Sequence, residues 1–312
     1  MAFTPTLIIV IICLSFFLLH ISQKVFINKK IIDQVKQRSS HSTVATRSGG
    51  LSVFLTIFII SCYFYGGGYE IYDFSIIVPL SLLMVVGLYD DLYNMDFKLK
   101  FIFQIIAAKI LIDNGLIIDN LHGVFGIFEL NRIFAQLITI FIIVAIINSI
   151  NFIDGIDGLA VLIVSTFIIS FEYFSATSSP FINLSLLIMT SCIPLLYFNF
   201  KNSKKVFLGD SGSLMFGGIV AAYVLYILSQ DYIIKPEYDL HKILFVISIL
   251  IIPIIDLTRV FILRIIKGTS PFKPDKNHIH HIIYKKIKNH FFTSISLTLL
   301  TILFIIFIQI IF

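Results

Sequence analysis

Residues 133–158 read IFAQLITIFIIVAIINSINFIDGIDG. From Ile133 to Ile150 no side chain is charged, and a helix of that length, rising about 1.5 Å per residue, nearly crosses a hydrocarbon core about 30 Å thick. The run then breaks into Asn151, Asp154, Gly155, Asp157 and Gly158. Carboxylates at the edge of a membrane span cost free energy unless water, a cation or a partner meets them, so such residues are functional suspects by default. An apolar helix ending in an acidic loop is the unit from which the rest of the chain is read.

The whole chain is built in the same way. Of its 312 residues 58% are hydrophobic and 13% charged, with a mean hydropathy of +0.98, whereas about a quarter of a soluble domain is charged. No polar stretch is long enough to fold separately, so residues 1–312 are expected to form a single integral-membrane domain. The fold class is all-α and polytopic, with about ten transmembrane helices over residues 5–22, 49–65, 74–89, 99–113, 133–150, 158–174, 181–198, 211–229, 243–263 and 291–311. The first run lacks a basic residue before it and a small-residue cleavage site after it, and is expected to persist as a span rather than to act as a removable signal. Cys13, Cys62 and Cys192 lie singly in apolar runs, which suggests packing and neither a disulfide framework nor a cysteine-type zinc site.

Basic residues fix the orientation. Lys24, Lys29, Lys30, Lys36, Arg38 and Arg47 follow the first span, Lys98 and Lys100 the third, Lys201, Lys204 and Lys205 the seventh, and eight more from Arg259 to Lys288 cluster about the end of the ninth. Only Arg132, Lys235 and Lys242 fall in the even-numbered loops, and Lys109 lies inside the fourth span. By the positive-inside rule the odd loops face the cytoplasm and both termini face the periplasm. The net charge of +5 is then accounted for by topology and anionic lipid, with no nucleic-acid partner.

Four polar clusters fall in those odd loops. Asp90 and Asp91 end the third span; Asn148, Asn151, Asp154 and Asp157 follow the fifth; Phe207, Gly209, Asp210, Ser211, Gly212 and Ser213 follow the seventh; His278, His280 and His281 follow the ninth. Hard oxygen ligands such as these aspartates with Asn151 suit Mg2+, or Mn2+ in its place, which keeps waters and bridges to substrate phosphates. The Gly209–Ser213 run opens a helix whose N–H groups favour a phosphate oxygen. Lys98, Lys100, Arg259, Arg264 and the histidines add positive charge, as a dianionic phosphate or a pyrophosphate requires. The histidines lack the usual zinc spacing; anchoring phosphate or sugar, moving a proton near neutral pH and a plain basic patch are their other readings. Phe207 either packs against lipid or stacks on a base.

These motifs, in this order from about His41 to His281, closely resemble the polyprenyl-phosphate N-acetylhexosamine-1-phosphate transferases, to which phospho-N-acetylmuramoyl-pentapeptide translocase and undecaprenyl-phosphate N-acetylglucosamine-1-phosphate transferase belong. The resemblance implies a Mg2+-dependent enzyme of the bacterial inner membrane, with its active site facing the cytoplasm. It would move a sugar phosphate from a UDP-N-acetylhexosamine to undecaprenyl phosphate, release UMP, and so begin a cell-surface glycan such as O-antigen, capsule or teichoic acid.

It further implies roles. Asp90 takes the proton of the lipid phosphate, assisted by Asp91; Asp210 is the principal Mg2+ ligand, with Asn151; Asp157 holds the uracil and Phe207 stacks on it; Asp154 lies by the sugar nucleotide. His278, His280 and His281 meet the diphosphate and sugar, and the basic loop from Arg259 to Lys276 reads the sugar. Asn148 and Lys98 join the substrate-binding set. His41, Arg47, Gly49 and Gly50 match the first cytoplasmic loop, where Val44 and Thr46 stand in place of frequent prolines. The isoleucine between the first two histidines resembles the subfamily that acts on simple UDP-N-acetylhexosamines. The apolar outer surface serves membrane lipid and a second copy alike, so a homodimer is an allowed assembly.

Two other readings exist. An intramembrane aspartyl protease would use Tyr89-Asp90 and Gly209-Asp210, but it wants a glycine at Phe207 and leaves the other clusters idle. A cation- or proton-coupled transporter would hold its carboxylates near the bilayer midplane, whereas these sit at one boundary.

Overall fold

The structure, a computed structural model, describes residues 4–32, 45–176, 179–201, 203–229, 232–234, 240–270 and 278–311. Among these the chain is an all-α polytopic membrane protein. Its elements are α1 (Pro5–Asn28), β1 (Ala45–Thr46), α2 (Gly49–Gly66), α3 (Ile77–Tyr93), α4 (Phe97–Asp113), α5 (Arg132–Ile153), α6 (Leu159–Phe174), α7 (Ile182–Phe200), β2 (Lys205–Val206), α8 (Gly209–Ile227), α9 (Leu240–Ile249), α10 (Ile251–Ile266), α11 (Ile279–Ile287) and α12 (His290–Ile311).

Each segment expected as a span overlaps a helix. Among the described residues seven helices are long and apolar enough to cross a membrane, and the α9–α10 pair would make an eighth. The sixteen residues of α6 and the seventeen of α4, which carries Lys98, Lys100 and Lys109, are shorter. Apart from Arg132 at its start, the exposed side chains on α5 are apolar, with Phe141 73% exposed, as suits contact with lipid rather than water. Ends are set locally. Pro5 opens α1 behind a Thr4 cap that accepts from the Leu7 N–H, and the Asn131 side chain accepts from the Phe134 N–H to start α5, each satisfying a donor that the first turn leaves unpaired.

The stretch 243–263, expected as one continuous helix, is broken. α9 and α10 meet at a 75° bend at Leu250. Pro253, three residues on, has no N–H to give to Ile249, and its ring crowds that carbonyl. The nine-residue helix α11 was not expected; it carries His280 and His281 that the sequence placed in a loop.

The helices group into two compact units, one of Met1–Asp96 with Pro180–Met215 and the other of Phe97–Ser179 with Phe216–Phe312. In the first, α1 packs on α2 and α7, and the Ser15 hydroxyl donates to the Ser191 carbonyl at 2.7 Å. In the second, α12 packs on α6 and α9, and α5 on α4 and α10. There Tyr232 stacks on Phe171, with rings 5.0 Å apart, and donates its hydroxyl to the Phe171 carbonyl at 2.7 Å.

Candidate active site

In the first unit the acidic end of α3 and the start of α8 form one polar assembly. It rests on β1 and β2, which pair in parallel with Ala45 opposite Lys205 and Thr46 opposite Val206. The pairing runs on as Phe207 N–H donates to the Thr46 carbonyl (2.8 Å), Gly49 N–H to the Phe207 carbonyl (3.0 Å) and Gly50 N–H to the Leu208 carbonyl (2.8 Å). Asn199 and Gln23 donate side-chain N–H groups to the Val206 and Lys204 carbonyls, both at 2.7 Å. The loop that holds Arg47 and the one that holds Phe207 are therefore a single hydrogen-bonded construction, with Thr46 one of its strand residues.

Asp91 points into this assembly with a side chain 0% exposed. Its Oδ1 accepts from the Asp210 N–H and its Oδ2 from the Ser211 N–H, each at 3.0 Å. Two first-turn donors of α8 are thus capped by a carboxylate from α3, where the positive end of the helix also favours the charge. Arg47 Nη1 lies 3.7 Å from Asp91 Oδ1. Asp90 is half-buried, and its Oδ1 accepts from the Met95 N–H at 2.6 Å. Phe207 is half-buried with the Lys205 ammonium 6.0 Å from its ring centre, so the ring is already a platform for a cation. Asp210 is half-buried in the first turn of α8. A Cβ placed on Gly87 would lie 2.2 Å from the Asp210 carbonyl oxygen, so α3 and α8 touch backbone to backbone.

In the second unit the Asp-Gly loop meets the histidines. Asp157 is buried; its carbonyl accepts from the Ser294 hydroxyl at 2.7 Å and its N–H donates to His290 Nδ1 at 3.3 Å, with Oδ2 3.5 Å from the same nitrogen. Asp154, half-buried, caps the end of α5 through its N–H to the Asn151 carbonyl at 3.3 Å. His280 is 2% exposed and neither ring nitrogen has a hydrogen-bond partner. Its Nε2 lies against Gly155, where a Cβ would come to 2.5 Å; only glycine admits the ring. Burial drives the His280 pKa down to about 3, helped by the neighbouring His281 and His278 and opposed by Asp256. The His278 and His280 rings lie parallel 5.5 Å apart, and His281 lies 4.3 Å from His280.

The remaining predicted residues are placed as follows. Asn148 donates to the Gln104 side chain and to the Val144 carbonyl, at 2.7 and 2.8 Å. Asn151 is half-buried in the last turn of α5. Lys98 is exposed in the first turn of α4, Arg259 is half-buried on α10, and Arg264 is buried near the α10 end. His41 lies outside the described residues. Two neighbours escaped the motifs: Asp256, bonded to His278, and His290, bonded to Asp157. An acid inside the apolar 243–263 run was the available signal for the first. Among the described residues no three or more His, Cys, Asp or Glu side chains are grouped to hold a metal ion.

The profile described as glycosyl transferase family 4 matches residues 73–228. A relative named probable undecaprenyl-phosphate N-acetylglucosaminyl 1-phosphate transferase, from Bacillus subtilis, is 34% identical over 265 residues, covering 84% of this chain and 72% of its own. The chain belongs to glycosyl transferase family 4. This family 4 protein is also 30% identical over 275 residues to a decaprenyl-phosphate N-acetylglucosaminephosphotransferase of Mycobacterium leprae, covering 79% and 68% of the two chains. To an undecaprenyl-phosphate alpha-N-acetylglucosaminyl 1-phosphate transferase of Salmonella typhi it is 28% identical over 277 residues, covering 86% and 72%. The family 4 match contains both acidic pairs, Phe207 and Asp210, whereas Arg47, Asp256 and the histidines lie beyond it.

Proposed function

We propose that this family 4 protein transfers an N-acetylhexosamine 1-phosphate from its UDP derivative to undecaprenyl phosphate and releases UMP. The reading includes ten spans with both termini periplasmic, and a site on the cytoplasmic face of the bacterial inner membrane. The product would begin a surface glycan such as O-antigen, capsule or teichoic acid. The observation that carries it is Asp210 at the capped start of α8 beside the buried carboxylate of Asp91.

That arrangement fits Mg2+. The ion takes hard oxygens and is held by one or two carboxylates, with water and substrate phosphates completing its shell, so the half-buried carboxylate of Asp210 at the start of α8 suits it better than a closed protein cage would. Asp210 would hold the ion, with Asn151 as a second ligand, and Mn2+ would substitute. When bound, the ion neutralises the pyrophosphate of the donor.

The chain's own residues do the rest. Asp90 accepts the proton of the lipid phosphate; the freed oxygen attacks the β-phosphorus, the bond to the bridging oxygen breaks, and UMP departs. Asp157 and Phe207 hold the uracil, Asp154 lies by the sugar nucleotide, and the histidines with Arg259 and Arg264 meet the diphosphate and sugar. Direct attack needs positioning and charge compensation rather than a covalent enzyme intermediate.

The test is UMP release by the purified protein from a panel of UDP-N-acetylhexosamines, with undecaprenyl phosphate and Mg2+. Release that requires the lipid and stops on chelation supports the reading. No release from any donor, with folded protein, overturns it.

A further inference from the structure

We infer that Asp256 is a positioning residue for the transfer: it holds His278, through Nδ1, in the one orientation and protonation pattern in which that histidine can serve the sugar phosphate. The inference rests on the proposed reaction for what His278 serves, and on geometry alone for how His278 is held.

Asp256 sits in the middle of the apolar helix α10 and is 1% exposed. A carboxylate there is costly unless both oxygens are satisfied. Both are: Oδ2 lies 2.6 Å from His278 Nδ1, and Oδ1 accepts from the Ile279 N–H at 2.6 Å. The two bonds do different things. Ile279 is the first residue of α11, so the second bond caps that helix in place of a side chain from the chain's own N-cap position. That position is His278, whose side chain makes no capping bond. Asp256 thus takes over the capping and leaves the imidazole available.

The first bond fixes the imidazole. An ionised carboxylate only accepts, so the proton of His278 must sit on Nδ1, and in the neutral ring the lone pair is left on Nε2. The ring is also gripped from its sides, with Phe152 5.5 Å away and His280 parallel at 5.5 Å. Rotation of the ring would break the charge-assisted bond and the stack together. The same division of labour, a buried carboxylate orienting a histidine that does the chemistry, costs several orders of magnitude in rate when the carboxylate becomes an amide and the wrong tautomer is held.

Asp256→Asn is the informative change, because its Oδ1 can keep the Ile279 bond while its amide hydrogens face Nδ1. Protein carrying 15N-histidine, in lipid nanodiscs, reports the tautomer directly, with His278→Ala assigning the signal. The wild type should show the proton on Nδ1 and Asp256→Asn should move it to Nε2. Turnover should fall by roughly 10²–10⁴-fold, the range for lost acid–base function, while the KM for the UDP-sugar stays within about threefold. The Asp256→Asn/His278→Ala double variant should be no slower than His278→Ala alone. A wild-type proton on Nε2 overturns the inference without any variant. So does Asp256→Asn at near wild-type turnover, or a double variant whose losses multiply. If the wild type transfers no sugar phosphate, the reaction assignment fails, and the tautomer result still decides how His278 is held.

Discussion

Gly87 and Asp210 meet so closely that a methyl group on the Gly87 Cα would lie 2.2 Å from the Asp210 carbonyl oxygen and 2.5 Å from the Ser211 nitrogen. Both atoms belong to backbone, so neither can turn aside. Gly87→Ala must push α3 off the start of α8, at about 1–3 kcal/mol for overpacking, and displace Asp210 with it. Gly66→Ala, at the open end of α2 with nothing within 4 Å, is the control. Unfolding midpoints in detergent should fall for the first and hold for the second.

Asp90 and Asp91 should separate in experiment. Asp91→Asn keeps one acceptor and turns an amide donor toward the other N–H of α8, which should cost about 1.5–3 kcal/mol as a charged hydrogen bond is lost. Asp90→Asn, at a half-buried position, should keep stability near wild type and lose turnover. Paired melting curves and UMP-release rates check this, and equal effects of both changes on stability would count against the division.

Asp210→Asn should lower turnover by roughly 10²–10³-fold, the scale on which one preorganised electrostatic group acts. It should also raise the Mg2+ concentration needed for half-maximal rate, with membrane insertion unchanged. A Mg2+ titration of the variant against the wild type measures both.

His280 sets a pH dependence of stability. Its folded pKa, about 3, lies below the usual 6.5 because the ring is buried, so below about pH 6.5 the unfolded chain takes up a proton that the folded chain refuses. Stability from this group is complete above pH 6.5 and declines as pH falls toward 3. His280→Leu should flatten the dependence of the unfolding midpoint across that window.

How much of this could be read from sequence depends on range along the chain. The α2 helix, Gly49–Gly66 against an expected 49–65, and the acidic ends of α3 and α5 follow from local hydropathy and charge, which one segment carries by itself. The bend at Leu250 needed attention to Pro253 within the largely apolar run 243–263. The pairing of Ala45 with Lys205, the Asp157–His290 contact and the Asp256–His278 bond join residues whose partnership no periodicity encodes. Asp256 was visible as an anomaly, and its partner was not.

The cap on α8 has a consequence for how the protein is made. Asp91 and Ser211 are 120 residues apart, so a ribosome has released α3 into the bilayer long before the backbone groups that satisfy its carboxylate exist. Closing so long a loop is slow, and until it closes the half-built chain carries, at the membrane boundary, a carboxylate without the two N–H groups that cap it, which is a costly place for a charge. Chains cut short before residue 209 should therefore be unstable intermediates that membrane proteases clear, even though every helix they contain is apolar enough to insert.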